Sequence, residues 1–230
     1  TEIVSADALQ VYRGLPILTN QHPAPTRLVA IRSLTEETSV GAYAGLAHET
    51  IDELVAANGT AVVAGGTGLY LRAALVDLRL PPAPAPGARE RWSAAFDADP
   101  DAAHATLAEL DPPAAAAVHA TDRKRVVRAL ELAGAGASLV PESDRLWSSE
   151  TRLPTLIAGL DVTAERLEAR IRARAETMLE AGAVEEARAA LAGGVSRTAE
   201  KALGLRELAQ LPAPEALDLL VVRTRRYAAY

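Results

Sequence analysis

The 230-residue chain has no cysteine, which removes disulfides, thiolate zinc sites and a cysteine nucleophile together. It has no run of 18 apolar residues and no basic stretch leading into an apolar one at its start, so a cytoplasmic protein with no membrane partner is expected. No group of histidines and carboxylates has metal-ligand spacing, and no internal repeat stands out beyond an alanine bias. Positive charge is in the minority: the formal net charge of −6 argues against a general nucleic-acid coat protein, although binding depends on where the cations lie rather than on their sum. Eleven of the 24 basic residues lie in three short windows, Arg123-Lys124-Arg125 with Arg128, then Arg166, Arg170, Arg172 and Arg174, then Arg223, Arg225 and Arg226. Each window reads either as an anion-binding face or as a solvated helix face paired with glutamates. Thr1 opens inside a strand-like run and Ala229-Tyr230 closes inside a helical pattern, so a piece of a longer chain is expected.

With 49% apolar residues the chain has ample material for a core. Short β-rich runs, Ile3–Ala6, Leu28–Arg32, Thr60–Ala64 and Thr155–Leu160, alternate with helical spacing, the pattern of an α/β fold with a parallel sheet flanked by helices. Helix is expected from Ser39 to Ala57, with Tyr43, Leu46, Ala47, Ile51 and Leu54 on its apolar face and Asn58-Gly59 as the stop. The proline-rich stretch Leu80–Gly87 passes neither strand nor helix and marks a boundary. An all-helical insertion follows over 87–149, its helices starting at Asp99-Pro100, Asp111-Pro112 and Thr121-Asp122. The core is then 1–86 with 150–230, ending in four amphipathic helices at about Ala164–Ala181, Ala183–Ala192, Ser196–Gln210 and from Pro214 on.

Two strand ends carry chemistry. Ile3-Val4-Ser5-Ala6 runs into Asp7, and Thr60–Ala64 runs into Gly65-Gly66-Thr67-Gly68, where bare backbone N–H groups and a hydroxyl can meet an anion. Ligands in parallel sheets bind at such ends. Alone, Gly-Gly-Thr-Gly is also an ordinary strand-to-helix turn, and Asp7 also a turn-capping carboxylate. His104 and His119 read as packing or capping residues.

Ser5–Gly14, Gly65–Leu71 and Asp122–Glu131 together resemble, in order, the motifs of the tRNA dimethylallyltransferase family. The likeness continues through Arg166–Gly182 and Lys201–Leu208 to Thr224–Ala228. It implies a P-loop NTPase-like core and transfer of a dimethylallyl group, with Mg²⁺, from dimethylallyl diphosphate to the exocyclic amine of the adenine 3′ of the anticodon. By the resemblance Asp7 is the general base and Thr67 the catalytic hydroxyl, while Gly65, Gly66, Arg170 and Arg174 hold diphosphate, with Arg166 a third cation. Glu168, Arg172 and Glu176 leave open an ordinary charged face at Arg170 and Arg174. The tRNA-binding set is Asp7, Ala8, Leu9, Gln10, Val11, Tyr12, Arg125, Arg128, Lys201 and Arg206; Arg125 and Arg128 can equally hold their helix to Asp122 or Glu131. The implied partners are a tRNA anticodon stem-loop and dimethylallyl diphosphate, with the protein a monomer and Mg²⁺ carried by the diphosphate.

The sequence departs from the family in places. The Gly-rich loop ending in Gly-Lys-Thr/Ser, which precedes the Asp-bearing strand, has no counterpart here. The chain as given is therefore expected to bind prenyl donor poorly and to leave an apolar sheet edge exposed. Thr26–Arg32 stands where the family has His-His-Leu, Gly134–Ser138 replaces a Thr-Gly-Lys element, and the last helix stops before the family's Gln and Trp. Two alternatives remain: a tRNA-binding relative without catalysis, and an adenylate prenyltransferase or small-molecule kinase, for which a basic helical insertion has no use.

Overall fold

A computed structural model describes residues 2–22, 24–78, 84–140 and 150–228. Its contacts divide the chain into an α/β unit, Thr1–Asp77 with Thr151–Tyr230, and a helical unit, Leu78–Glu150.

The α/β unit is built on three short parallel strands. β1 (Ile3–Ser5) is central, with β2 (Thr26–Arg27) on one side and β3 (Val62–Ala64) on the other. Ile3 pairs with Thr26 and Val62, and Val4 with Arg27 and Val63. β-Branched side chains suit this pleated surface. Because the strands are parallel, Asp7 and Gly65-Gly66-Thr67 emerge at the same end of the sheet.

Two expected strands are corrected. Leu28 and Ala30 have φ of 64° and 53°, a left-handed backbone that cannot continue a strand, so pairing there shrinks to Thr26–Arg27 and one Tyr12–Arg32 bridge. Thr155–Leu160 is not a strand either. Leu156 is 94% exposed and Leu160 98%, and a β-forming run becomes a strand only where a neighbour supplies its hydrogen bonds. Among the described residues β3 has no partner on its outer side, and Val62 is 46% exposed.

α1 (Val40–Asn58) starts where Ser39 Oγ accepts the Ala42 N–H at 3.2 Å, ends at left-handed Gly59, and buries Tyr43, Ala47, Ile51 and Leu54 as its spacing predicts. α2 (Gly68–Leu75) follows β3. After Thr151 come α7 (Ala164–Glu180), α8 (Ala183–Ala192), α9 (Leu205–Gln210) and α10 (Ala213–Ala228), which share one apolar cluster with Leu15 and Leu18. The single helix expected over Ser196–Gln210 is instead a 3₁₀ turn, Ala199–Lys201, followed by α9. Gly204 makes the break: its φ is 88°, and a Cβ there would stand 2.9 Å from Leu220 Cδ1, so glycine lets α10 pack closely.

The helical unit holds α3 (Ala88–Ala98), α4 (Pro100–Leu110), α5 (Pro112–Ala117) and α6 (Arg123–Ala133). Asp99, Asp111 and Asp122 accept the N–H groups of Ala102, Ala114 and Arg125 at 2.9, 3.1 and 3.1 Å, capping three starts where the sequence places them. Phe96, Leu107, Val126 and Leu130 form the core. Glu131, 2% exposed, is matched by Arg89 at 2.6 and 3.0 Å and by Arg128 at 3.0 Å. Residues 80–83 of the proline-rich boundary and 141–149 of the expected insertion lie outside the described residues.

Candidate active site

At the carboxyl ends of β1 and β3 the α/β unit has a cleft of about 1070 Å³, closed on its other side by α7 and α10. Asp7 is its one lining carboxylate, against Arg170, Arg174 and Lys201, a balance that suits an anionic ligand.

Asp7 ends β1 in an Asx-type turn. Its Oδ1 accepts the N–H groups of Leu9 at 2.8 Å and Gln10 at 3.3 Å, which orients the carboxylate and leaves Oδ2 without a hydrogen bond among the described residues. Gly65 brings the second strand end against this turn. The Ala6 N–H donates to Ala64 O at 2.8 Å, and a Cβ on Gly65 would stand 2.2 Å from Ala6 O. Only glycine lets β3 finish so close to the residue before Asp7. Thr67 then takes the N-cap position of α2, yet its side chain makes no capping bond. A hydroxyl at a helix N-terminus that does not cap its own helix is available to a ligand.

α7 presents Leu167, Arg170, Ile171, Arg174, Ala175 and Met178 to the cleft, one helix face at three- and four-residue spacing. The charged neighbours on this helix pair elsewhere. Arg172 meets Asp218 at 3.5 Å, and Glu168 meets Arg225 at 3.3 Å. Arg170 and Arg174 have no ion pair among the described residues. Burial lowers the Arg174 guanidinium's pKa from its ordinary value while the Asp7 charge acts to raise it; a guanidinium stays charged throughout. The cleft therefore juxtaposes two uncommitted guanidinium groups with an apolar stripe.

The rest of the expected set divides. Ala8, Leu9, Gln10, Gly66 and Lys201 line the cleft. Gln10 is held internally: its Oε1 accepts from Ser5 Oγ at 2.7 Å, and its Nε2 donates to Thr19 O and Asn20 O, both at 3.1 Å. Val11 and Tyr12 are buried, so their side chains are placed for packing rather than for touching RNA. Arg206 pairs with Glu200 and, like Arg166, is not among the cleft residues. In the helical unit Arg128 is engaged by buried Glu131, while Arg125, 3.5 Å from Asp122, is well exposed. His104 holds the carbonyls of Ala115 and Val118 at 3.2 and 3.0 Å, and His119 Nδ1 bonds Thr121; both are capping residues.

Sequence reasoning missed a phenol and hydroxyl group behind Asp7. Tyr43 donates to Ser5 O at 3.0 Å in the core, its ring 4.6 Å from that of Tyr70. Burial, then Tyr70 and Asp7, push the Tyr43 phenol up; burial and Tyr12 push Tyr70 up. Both stay neutral. Tyr70, Thr38, Thr198, Thr224 and Tyr227 line the cleft. The signal for Tyr43 and Tyr70 was their helical spacing, which marks an aromatic as core and says nothing of a neighbouring carboxylate.

No group of three or more His, Cys, Asp or Glu among the described residues can hold a metal ion, and no helix among them is long and apolar enough to cross a membrane.

The sequence model of the IPP transferase family matches residues 10–230. A tRNA dimethylallyltransferase from Kineococcus radiotolerans is 38% identical over 99% of this chain and 75% of its own length. A solved tRNA isopentenylpyrophosphate transferase from Bacillus halodurans superposes with a TM-score of 0.65 at 29% identity, covering 99% of this chain and 76% of that one. A eukaryotic dimethylallyltransferase solved acting on tRNA reaches a TM-score of 0.77 over 99% of this chain and 61% of its own, at 23% identity, a likeness of fold. With its parallel sheet, flanking helices and helical unit, the chain belongs to the IPP transferase family.

Proposed function

We infer that this protein transfers a dimethylallyl group from dimethylallyl diphosphate to the exocyclic amine of the adenine 3′ of the anticodon in tRNA, releasing diphosphate. The observation that carries this reading is the pairing Gly65 creates: a carboxylate with a free oxygen beside an uncommitted threonine hydroxyl, facing two unpaired guanidinium groups and an apolar stripe.

The chemistry follows from these groups. The adenine amine forms a bond to the allylic carbon while the carbon–oxygen bond to diphosphate breaks, its electron pair leaving with the diphosphate. The amine becomes positively charged as it reacts, and Asp7 Oδ2 accepts its proton. The Thr67 O–H donates to the bridging oxygen where negative charge grows, and Arg170 and Arg174 meet the outer oxygens in forked pairs. Leu167, Ile171 and Met178 give the branched tail an apolar surface and keep water from the allylic carbon.

A divalent cation fits this site only as a companion of the diphosphate. The cleft offers one carboxylate and several hydroxyls, too few for an all-protein cage, so Mg²⁺ would take its ligands from phosphate oxygens and water, with Thr67 near by, and supply charge neutralisation. The RNA partner in this reading is an anticodon stem-loop bound by a monomer. Lys201 faces it at the cleft, and Arg125, on the helical unit, is a phosphate contact that positions without reading sequence.

The test is transfer of labelled dimethylallyl groups to an anticodon stem-loop by the protein expressed from its own start codon. Asp7→Ala is expected to lower kcat by about 10²–10⁴ and Thr67→Ala by about 10², with the stem-loop still bound. RNA binding without transfer by the unsubstituted protein, or full transfer by Asp7→Ala, would sink the assignment.

A further inference from the structure

Tyr12 is entirely buried, and its hydroxyl meets Thr198 Oγ1. The same oxygen accepts the Thr38 N–H at 3.2 Å and lies 3.3 Å from Ser196 Oγ. A threonine hydroxyl has two lone pairs and one proton; here the oxygen can accept from Tyr12 and the Thr38 N–H while the proton serves the neighbouring Glu37 carboxylate, which, against the effect of burial, a Thr198 hydrogen bond helps to hold below its ordinary pKa. Ser196 Oγ accepts in turn from the Ala199 N–H at 3.2 Å, and the Ser196 N–H donates to Leu34 O at 2.7 Å.

Three stretches distant in sequence meet at this oxygen: the loop that begins at Asp7, the loop that leads into α1, and the turn that ends at Lys201. Each contributes to the cleft, through Asp7, Thr38 and Lys201. Two further clamps act in the same sense. Arg197 donates through its N–H and Nε to Glu37 Oε1 at 3.0 and 3.3 Å, and Glu186 of α8 accepts the N–H groups of Ile17 and Leu18 at 3.0 and 2.8 Å. Each of these clamps joins two stretches, whereas the Thr198 hydroxyl joins all three directly. Tyr12 and Ser196 are buried while Thr38 and Thr198 are half-buried at the cleft wall, and a network anchored on buried polar groups becomes unfavourable once a member is missing.

We propose that Thr198 is a positioning residue for the RNA side of the reaction: its hydroxyl, through Tyr12 and Thr38, fixes the Asp7 loop and the Lys201 turn as one wall. The residue touches no reacting atom in this role. It sets where the carboxylate that takes the amine's proton stands relative to the lysine that faces the RNA. The inference rests on the proposed function, since it assigns that wall to the tRNA.

The experiment compares Thr198→Val, Tyr12→Phe, the double variant and Thr198→Ser in the protein expressed from its own start codon. It reads stem-loop Kd, KM for each substrate, kcat and Tm. Thr198→Val is isosteric and removes only the hydroxyl. It is expected to weaken stem-loop binding roughly tenfold, the scale of one hydrogen bond, with the KM for dimethylallyl diphosphate within about twofold. Tyr12→Phe should do the same, the double variant no more than either single change, and Thr198→Ser should restore binding. Loss of Tm with both substrates bound normally, equal weakening for both, or additive single effects overturns the proposal and leaves a purely structural junction. If the unsubstituted protein neither binds nor modifies the stem-loop, the functional reading falls and this inference with it. If it does both and Thr198→Val matches it, only this inference falls.

Discussion

The two units hold themselves together in opposite ways. In the helical unit much of the stability is local: each of three helix starts has its own aspartate cap, and buried Glu131 is matched by Arg128 three residues before it, with Arg89 the one distant partner named for it. In the α/β unit almost everything that matters is long-range. β1 is placed by residues more than twenty positions away, and a single oxygen joins residues 12, 38 and 198. Local contacts make a scaffold robust; distant ones can set a carboxylate beside a hydroxyl. The catalytic candidates sit in the second kind of structure.

The change that should break this contrast most severely is Gly65→Ala. The added Cβ would meet Ala6 O at 2.2 Å, and a backbone atom cannot swing aside, so the end of β3 must move away from Asp7. Displacement of about 1 Å between reacting groups costs on the order of a hundredfold in rate, and transfer should fall by at least that much. Gly45→Ala, in the exposed middle of α1 where a Cβ meets nothing within 4 Å, should leave transfer unchanged and raise stability by about 0.5–1 kcal/mol. Equal effects from both substitutions would erase the distinction.

How much of this was legible in the sequence follows the same division. The helical unit was readable because its signals are contiguous: Asp99-Pro100, Asp111-Pro112 and Asp122 each announce a helix within three residues, and each does so in the structure. Asp7 and Gly65-Gly66-Thr67 were readable as strand ends, and their convergence followed from the parallel sheet. The left-handed Leu28 and Ala30 were not, since nothing in Leu28–Arg32 but its β propensity was visible. Nor was the unpaired state of Thr155–Leu160, which depends on what lies beside it. Tyr12 sat in a motif that resembles an RNA-contacting segment; only the fold reveals that its hydroxyl turns inward to a partner 186 positions away.

Glu131 tests the helical side of the comparison. Burial acts to raise its pKa, but the hydrogen bonds and charges of Arg89 and Arg128 outweigh it and hold the carboxyl below its ordinary 4.5. A carboxyl whose folded pKa is depressed stabilises the fold above its unfolded pKa, and that contribution is lost as pH falls through the folded value. Glu131→Gln should destabilise the unit by about 3 kcal/mol at neutral pH, near the low end for breaking a buried pair because both arginines can turn toward water. It should also flatten the acid limb of the unit's stability below the ordinary carboxylate range. Denaturation followed by amide exchange in α3 to α6 from pH 3 to 7 checks both, and a parallel acid limb in the variant would remove Glu131 from the account. Smaller effects are expected at the caps: Asp99→Ala or Asp122→Ala should each cost about 1 kcal/mol in the same measurement.

The smallest expected effect lies in the α/β unit and decides how its surface behaves. Leu156 and Leu160 are almost wholly exposed and Ile157 is 68% exposed, so replacing Leu160 by serine removes no buried contact and should change stability by less than about 0.5 kcal/mol. Leu130 of α6 has no exposed surface, and Leu130→Ala should cost about 2–5 kcal/mol, the ordinary range for a core leucine. The same residue type thus serves as a ruler in both units. If Leu160→Ser instead approaches the Leu130→Ala value, the Thr155–Leu160 run is covered in solution, and the contrast between a closed helical unit and an open sheet unit fails at that point. If it stays near zero while Gly65→Ala abolishes transfer, the α/β unit tolerates change along its exposed run and none where two strand ends meet.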